Sequence, residues 1–201
     1  MIGLALAFVF FGLTFRGPRS RFWQRMTRTG LTLGSLSLIA EPKLRRTRFG
    51  PREFILGLGS AGILYVIFQI GDRLARQILP KGAAEIGAIY GLEKLRPRPE
   101  LAARLAFIIG PAEELFWRGL VQARLTEQFG GLPGYVLGTA AYGGAHLVTG
   151  NFTLIGAATV AGAFWGGLAA LGVPPGALIV SHSVWDVFIF LIAPTMKKER
   201  D

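Results

Sequence analysis

The sequence predicts an all-α protein, a polytopic transmembrane helical bundle of about six membrane segments with one interfacial or amphipathic element. Of its 201 residues, 51% are hydrophobic and only 17% are charged, whereas an ordinary soluble domain is about 25% charged. Between Gln128 and Met196 the single charged residue is Asp186. Because a water-exposed surface cannot be built from such a stretch, we expect an integral, multi-pass protein of the cell membrane.

Apolar segments define the expected elements in chain order. Met1–Phe15 is apolar but short for a span, and Leu31–Ala40 is too short to cross, so we expect it at the interface or packed on the bundle. Phe54–Gly71 is long enough to span, and Ala83–Gly91 suits a short amphipathic helix. Four further apolar segments follow, near residues 101–122, 132–148, 152–172 and 175–194.

Glycine and proline mark the expected breaks between the last helices. These breaks fall at Gly130-Gly131, Gly150-Asn151 and Pro174-Pro175. Glycines four residues apart, such as Gly162 and Gly166, suit close helix packing in lipid. The expected organisation has an N-terminal apolar segment with a basic loop (1–53), a span with a polar connector (54–100), a membrane core (101–194) and a charged tail (195–201).

Positive charge is concentrated rather than spread over a nucleic-acid-binding face. The formal net charge is +10, and ten of the 22 Lys and Arg residues lie within 16–53, opposed only by Glu41 and Glu53. Apolar segments flank this stretch, so we expect a cytoplasmic loop that faces anionic lipids, and no nucleic-acid partner. The chain has no cysteine, which excludes disulfide frameworks, thiolate metal sites and cysteine nucleophiles.

The first polar cluster lies in the apolar run 105–121 and contains Glu113, Glu114 and Arg118. Glu114 and Arg118 are four residues apart on a helix and can pair. Glu113 points about 100° away and has no cationic partner on its own helix. Since ionisable groups inside membrane segments are costly and mostly functional, Glu113 is a candidate general base.

The second and third clusters contain the only two histidines of the chain. Tyr142 precedes His146 by four residues, and His182 precedes Asp186 by four, so the Asp186 carboxylate is expected to orient the His182 ring. A glutamate and a histidine suit the activation of a water, with the second histidine donating to an oxyanion. The same groups could hold a divalent metal, and Ser181 or Ser183 could serve as a nucleophile beside a histidine.

At these three clusters the sequence resembles the type II CAAX prenyl endopeptidases, also called the CAAX protease and bacteriocin-processing (CPBP) or abortive-infection family. The family pattern is Glu-Glu-x-x-x-Arg, Phe-x-x-x-His and His-x-x-x-Asn or Asp on successive membrane helices. Its counterparts here are Glu113-Glu114…Arg118, Tyr142…His146 and His182…Asp186. The likeness covers roughly residues 100–190.

The resemblance implies an intramembrane endopeptidase that acts on a membrane-associated protein or peptide, with prenylated substrates among the alternatives. It implies that Glu113 activates the water with help from His146, that His182 and Asp186 bind the oxyanion, and that Glu114 and Arg118 brace the helix. We expect no cofactor. Were a divalent metal such as zinc to bind, Glu113, His146 and His182 would be its ligands.

Two positions depart from the family pattern. Tyr142 replaces the usual Phe and adds a hydroxyl. Asp186 stands where Asn would donate an amide hydrogen bond to an oxyanion, so Asp186 must be protonated, orient His182, or bind metal. Two other functions remain open: a non-catalytic scaffold or bacteriocin self-immunity protein on the same fold, and a transporter with a Glu–His proton relay, for which no internal repeat is evident.

Overall fold

The computed structural model describes residues 2–195, and all regular structure in this range is helical, as the sequence predicts. We number eight helices through the described range. Their bounds are α1 (Ile2–Arg16), α2 (Phe22–Ala40), α3 (Pro51–Ile78), α4 (Gly82–Tyr90), α5 (98–129), α6 (Gly131–Ala145), α7 (Phe152–Ala170) and α8 (Pro175–Val187, continued by the π turn Phe188–Ile192). Short 3₁₀ turns lie at Arg19–Arg21, Pro42–Arg46, Gly91–Leu95 and His146–Thr149.

The three predicted breaks separate α5, α6, α7 and α8. Gly130 and Gly150 have φ of 90° and 64°, a left-handed conformation that glycine adopts without steric cost. Asn151 then caps α7, because its side-chain oxygen accepts a hydrogen bond from the backbone N–H of Leu154 at 2.8 Å. Pro175 occupies the first turn of α8, where the missing N–H needs no partner.

Successive long helices run in opposite directions, so their ends gather at two opposite ends of the bundle. At one end, here called the Arg98 end, α5 begins, α8 finishes and α4 lies across them; Arg98 donates to the Leu191 carbonyl, and Tyr90 bonds Thr195 at 3.1 Å. At the other, called the Gly130 end, α5 finishes and α6 begins, and Arg124 pairs with Glu41.

Residues 22–30 differ from the sequence prediction, which placed them in a basic loop spanning 16–53. Residues 31–40, expected at the interface or packed on the bundle, belong to the same helix. Together they form the 19-residue helix α2, which packs against α1 and α5. The apolar positions Phe22, Met26 and Leu33 recur at helical spacing and are buried. Arginines between these positions lower the mean hydropathy and conceal this helical pattern. As a consequence, the two halves of the predicted loop lie at opposite ends of α2.

Three helices are long and apolar enough to cross a membrane: Pro51–Ile78, Phe152–Ala170 and Pro175–Ile192. The first contains the predicted span 54–71. The apolar helix Gly3–Arg16 is shorter. Helix α4 matches the short helix predicted at 83–91. The predicted tail begins at Thr195, and its remaining residues, 196–201, lie outside the described residues.

Candidate active site

Three helices bring the predicted polar residues to one cavity of about 480 Å³. Glu113 lies in the middle of α5, His146 follows the end of α6, and His182 and Asp186 lie on one face of α8. All four line the cavity, together with Tyr142. The site is therefore assembled inside the bundle from residues that are far apart in sequence.

Glu113 presents a buried carboxylate to this cavity, with a side chain 10% exposed. The Tyr142 hydroxyl donates to Glu113 Oε2 at 2.7 Å. His182 Nε2 lies 4.0 Å from the same oxygen, which is too far for a hydrogen bond. Within the described residues, the hydrogen bond to the Glu113 carboxylate therefore comes from α6 rather than from a cationic side chain of its own helix.

Glu114 joins two helices through one oxygen. Its Oε1 accepts from Arg118 Nη1 at 2.9 Å, the pair predicted from the sequence, and from His182 Nδ1 at 2.7 Å. Asp186 was expected to orient the His182 ring, and this expectation is wrong in its choice of carboxylate. Asp186 Oδ1 lies 3.7 Å from His182 Nε2, beyond hydrogen-bond distance, whereas Glu114 holds the opposite nitrogen.

Trp165 fixes the plane of the His182 ring. The two rings stack with centroids 3.9 Å apart and planes 16° apart. Trp165 in turn donates its indole N–H to the Ser181 hydroxyl at 3.0 Å. Trp165 on α7 thus contacts the face of the His182 imidazole, and Glu114 on α5 contacts its edge. Trp165 carried no signal in the sequence, because an aromatic residue in an apolar helix is ordinarily a packing residue.

The His146 ring is held by its own helix. Its Nδ1 lies 2.9 Å from the Tyr142 carbonyl oxygen, which can only accept, so Nδ1 carries the proton and Nε2 is left with a lone pair. Phe11 packs edge-on against the ring at 5.2 Å. His146 is therefore arranged to accept a hydrogen bond through Nε2.

Residues 99–188 match the family model described as Type II CAAX prenyl endopeptidase Rce1-like. This segment is Rce1-like. It contains every residue of the three motifs, and the match confirms the resemblance that those motifs indicate. No curated protein and no solved structure matches the chain. Three helices apolar enough to cross a membrane, together with this match over residues 99–188, support a membrane protein.

Two π turns in the Rce1-like segment flank the Glu113–Glu114 pair. They lie at Leu105–Ile109 and Trp117–Gln122, and such turns are frequent at functional sites. Pro111 lacks a backbone N–H and lies two residues after the first of them, and a proline at such a place is a known cause of a locally widened helix. Pro111 is the signal from which the first widened turn could have been predicted.

The serines predicted as alternative nucleophiles do not line the cavity in the described part of the Rce1-like segment. Ser181 is fully buried and accepts the Trp165 N–H. Ser183 packs against Gly110, close enough that a Cβ there would lie 2.8 Å from its hydroxyl. Both hydroxyls are enclosed in helix packing, so neither can reach a substrate in the cavity.

A divalent metal would need three ligands converging on one point. Among residues 2–195, no three His, Asp or Glu side chains are placed to hold a metal ion. Of the alternative ligands Glu113, His146 and His182, Glu113 Oε2 already accepts the Tyr142 hydroxyl.

Apolar side chains form most of the cavity wall of this Rce1-like site. The cavity extends from Glu113 toward the Arg98 end, where Tyr90 and Thr195 line it. The apolar walls between these limits come from seven helices, α1–α5, α7 and α8, and from the turn after α4. They include Trp23, Phe68, Ile86, Leu92, Ala157, Trp185 and Phe190. An apolar channel that ends on buried polar groups suits a substrate with an apolar portion and a reactive polar bond.

Proposed function

We propose that the protein is an intramembrane endopeptidase that hydrolyses a peptide bond with a glutamate-activated water. The observation that carries the proposal is the Glu113 carboxylate, which faces an apolar cavity between two histidines whose orientations are both fixed. A general base must reach the proton that it abstracts, and an oxyanion donor must be held in place before the reaction. The Rce1-like match supports this activity at the level of the family.

The chemistry divides between the two sides of the cavity. A water that donates to Glu113 and to His146 Nε2 would attack the carbonyl carbon of the substrate while Glu113 takes its proton. The carbonyl oxygen becomes an oxyanion and accepts a hydrogen bond from His182 Nε2–H. Glu113 then passes its proton to the departing amide nitrogen, the C–N bond breaks, and a carboxylic acid and an amine are released.

Two carboxylates, of Glu114 and Asp186, support the role of His182 as a hydrogen-bond donor to the oxyanion. Glu114 accepts from Nδ1 at 2.7 Å, and Asp186 Oδ1 lies 3.7 Å from Nε2. Negative charge at both nitrogens stabilises a doubly protonated imidazolium, which can keep Nδ1–H on Glu114 while Nε2–H faces the oxyanion. We assign Asp186 to this electrostatic support.

The substrate that fits this site is a membrane-associated protein or peptide. The scissile bond would lie beside Glu113, and the apolar wall would take an adjacent hydrophobic group, such as a prenyl chain or apolar side chains. The cavity of about 480 Å³ is within the usual range for binding sites of small ligands. Its volume accommodates a lipid chain or a few residues rather than a folded domain.

We infer a multi-pass arrangement in the cell membrane, in which α1, α2, α3, α5, α6, α7 and α8 each cross the bundle. The Arg98 end holds the larger excess of positive charge and faces the cytoplasm under the positive-inside rule. Its basic residues are Arg16, Arg19, Arg21, Arg25, Arg28, Arg73, Arg76, Lys81, Lys94, Arg96, Arg98 and Arg104, opposed by Asp72, Glu85, Glu93 and Glu100. At the Gly130 end Lys43, Arg45, Arg46, Arg48, Arg52 and Arg124 are opposed by Glu41, Glu53 and Glu127.

This arrangement revises the lipid contacts expected for the basic stretch 16–53. Its first part, Arg16–Arg28, would face anionic lipids of the cytoplasmic leaflet, and its second part, Lys43–Arg52, would lie at the opposite surface. Cysteines introduced singly at Arg21 and Arg46 test the arrangement. In intact cells an impermeant thiol reagent should label only the cysteine at position 46, and labelling of only position 21 would reverse the orientation.

Cleavage of a peptide panel by the purified protein tests the proposed activity. The panel contains prenylated C-terminal tetrapeptides and the same sequences without the lipid, and mass spectrometry locates the bond that is cut. We expect cleavage that requires an apolar group beside the bond, and its loss in His182→Ala. If the wild-type protein and His182→Ala cleave at the same rate, His182 has no part in the reaction and the proposed mechanism fails.

A further inference from the structure

Among residues 2–195, Tyr142 is the one residue that contacts both Glu113 and His146 through hydrogen bonds. Its hydroxyl donates to Glu113 Oε2 at 2.7 Å. Its backbone carbonyl accepts from His146 Nδ1 at 2.9 Å. Its ring is 5% exposed and packs edge-on against the His146 ring at 5.3 Å. A single buried side chain therefore touches the carboxylate and the imidazole between which the water is proposed to bind.

We propose that Tyr142 is a positioning residue that fixes the Glu113 carboxylate for its work as a base. The inference rests on the proposed function, in which Glu113 takes a proton from water. With Oε2 held by the Tyr142 hydroxyl, the carboxylate cannot rotate, and Oε1 is the oxygen left for the water. Oε1 has no hydrogen-bond partner among the described residues, and the carboxylate lines the cavity.

The Tyr142 ring is itself fixed from three directions. The Arg118 guanidinium lies over one face, 4.6 Å from the ring centroid. The Trp117 ring meets it edge-on at 5.2 Å. On α7, Gly162 provides the space for the ring, since a Cβ at this position would lie 2.9 Å from Tyr142 Cδ1. A ring enclosed in this way holds its hydroxyl at one place.

The hydrogen bond from Tyr142 to Glu113 is charge-assisted, because its acceptor is a carboxylate. Such a bond is short, as the 2.7 Å distance is, and is stronger than a bond between neutral groups. Without the hydroxyl, the Glu113 carboxylate would be free to turn away from the position in which it meets the water.

Tyr142→Phe removes this hydroxyl and keeps the ring and the backbone carbonyl. Tyr135→Phe is the matched control, because Tyr135 lies on the same helix and its hydroxyl donates to the Ala163 carbonyl at 3.3 Å, away from Glu113. We expect Tyr142→Phe to lower kcat about 10- to 100-fold, the loss of one hydrogen bond to a charged group. KM should stay within about twofold, because the hydroxyl contacts Glu113 rather than substrate.

The split between kcat and KM distinguishes positioning from a general loss of structure. In Tyr142→Phe kcat should fall while KM is retained, and in Tyr135→Phe both kcat and KM should stay unchanged. If the two variants have the same kcat and the same KM, Tyr142 does not position the base.

A melting experiment tests the contact without any substrate. Tyr142→Phe should lower the midpoint of thermal unfolding in the wild-type background but not in Glu113→Ala, where the hydroxyl has lost its acceptor. Equal losses in both backgrounds would overturn the inference. If Glu113→Gln remained fully active, the peptidase mechanism would fail, and the melting experiment alone would then decide whether Tyr142 holds the carboxylate.

Discussion

The Nδ1 atom of His182 lies 2.7 Å from Oε1 of Glu114, although the two residues are 68 positions apart in the chain. The same oxygen accepts from Arg118, and all three side chains are buried. Glu114 therefore connects the helix that carries the candidate base to the helix that carries the candidate oxyanion donor. This buried carboxylate thus links the two sides of the site.

Glu114→Gln should strongly destabilise the protein. The substitution removes the charge opposite the buried Arg118 guanidinium, and breaking a buried pair in this way costs about 3–5 kcal/mol. Thermal unfolding of the detergent-solubilised protein measures the loss. Glu114→Gln should also reduce cleavage, because the His182 ring loses its charged acceptor.

The chain offers a matched control on the same helix. Glu100 and Arg104 form the same i,i+4 pair at 2.8 Å, but their side chains are 36% and 23% exposed. Glu100→Gln should cost less than about 1 kcal/mol, as partly exposed pairs do. Equal losses of stability in Glu114→Gln and Glu100→Gln would contradict the buried role assigned to Glu114.

Gly162→Ala should destabilise the bundle by about 1–3 kcal/mol, the usual cost of overpacking. The added methyl would lie 2.9 Å from the Tyr142 ring, which is already enclosed by the Arg118 guanidinium and the Trp117 ring. Gly156→Ala, on the same helix, meets no atom within 4 Å and should be neutral or stabilising. Unfolding midpoints that rank these two variants in the opposite order would refute the packing described here.

Glu85 connects α4 to α7 through hydrogen bonds whose contribution to stability depends on pH. The Thr153 hydroxyl and then the Thr153 backbone N–H donate to its carboxylate at 2.7 and 2.8 Å, and these bonds hold the pKa of Glu85 below its ordinary value. A carboxyl with a lowered folded-state pKa contributes stability above its unfolded pKa and loses it as the pH falls through the folded pKa.

The stability difference between the wild-type protein and Glu85→Gln should therefore be largest near neutral pH. It should shrink as the pH falls below about 4.3, the ordinary pKa of glutamate. Unfolding midpoints at a series of pH values measure it. Thr153→Val should show the same trend with smaller amplitude, since the backbone N–H remains. If the stability difference between the wild-type protein and Glu85→Gln does not change with pH, the charge of the Glu85 carboxylate does not stabilise the contact between α4 and α7.

Features encoded within one helix could be predicted from the sequence. The breaks at Gly130, Gly150 and Pro174 follow from local backbone preferences, and the Glu114–Arg118 pair follows from i,i+4 spacing. Contacts between helices could not be predicted in the same way. Asp186 is one turn from His182 and was expected to bind it, but the packing of α5 against α8 brings the Glu114 carboxylate closer.

Helix α2 shows a second limit of sequence reasoning. Its arginines made residues 22–30 resemble a basic loop, while the apolar positions that pack on α1 and α5 were outweighed in the mean hydropathy. A helix buried on one stripe inside a bundle need not be apolar all round. The Tyr142 hydroxyl was likewise visible as a substitution in the family pattern, and its bond to Glu113 becomes evident only when α5 and α6 are packed together.

The rate of peptide cleavage by Glu113→Gln, measured beside the wild-type protein with and without a metal chelator, tests the central claim most directly. We predict a loss of about 10²- to 10⁴-fold in kcat for this variant, the contribution of a general base, at an unchanged unfolding midpoint. Wild-type cleavage should survive the chelator. Full activity of Glu113→Gln would contradict the glutamate-activated water, and wild-type activity abolished by chelation and restored by a divalent ion would replace it with metal chemistry.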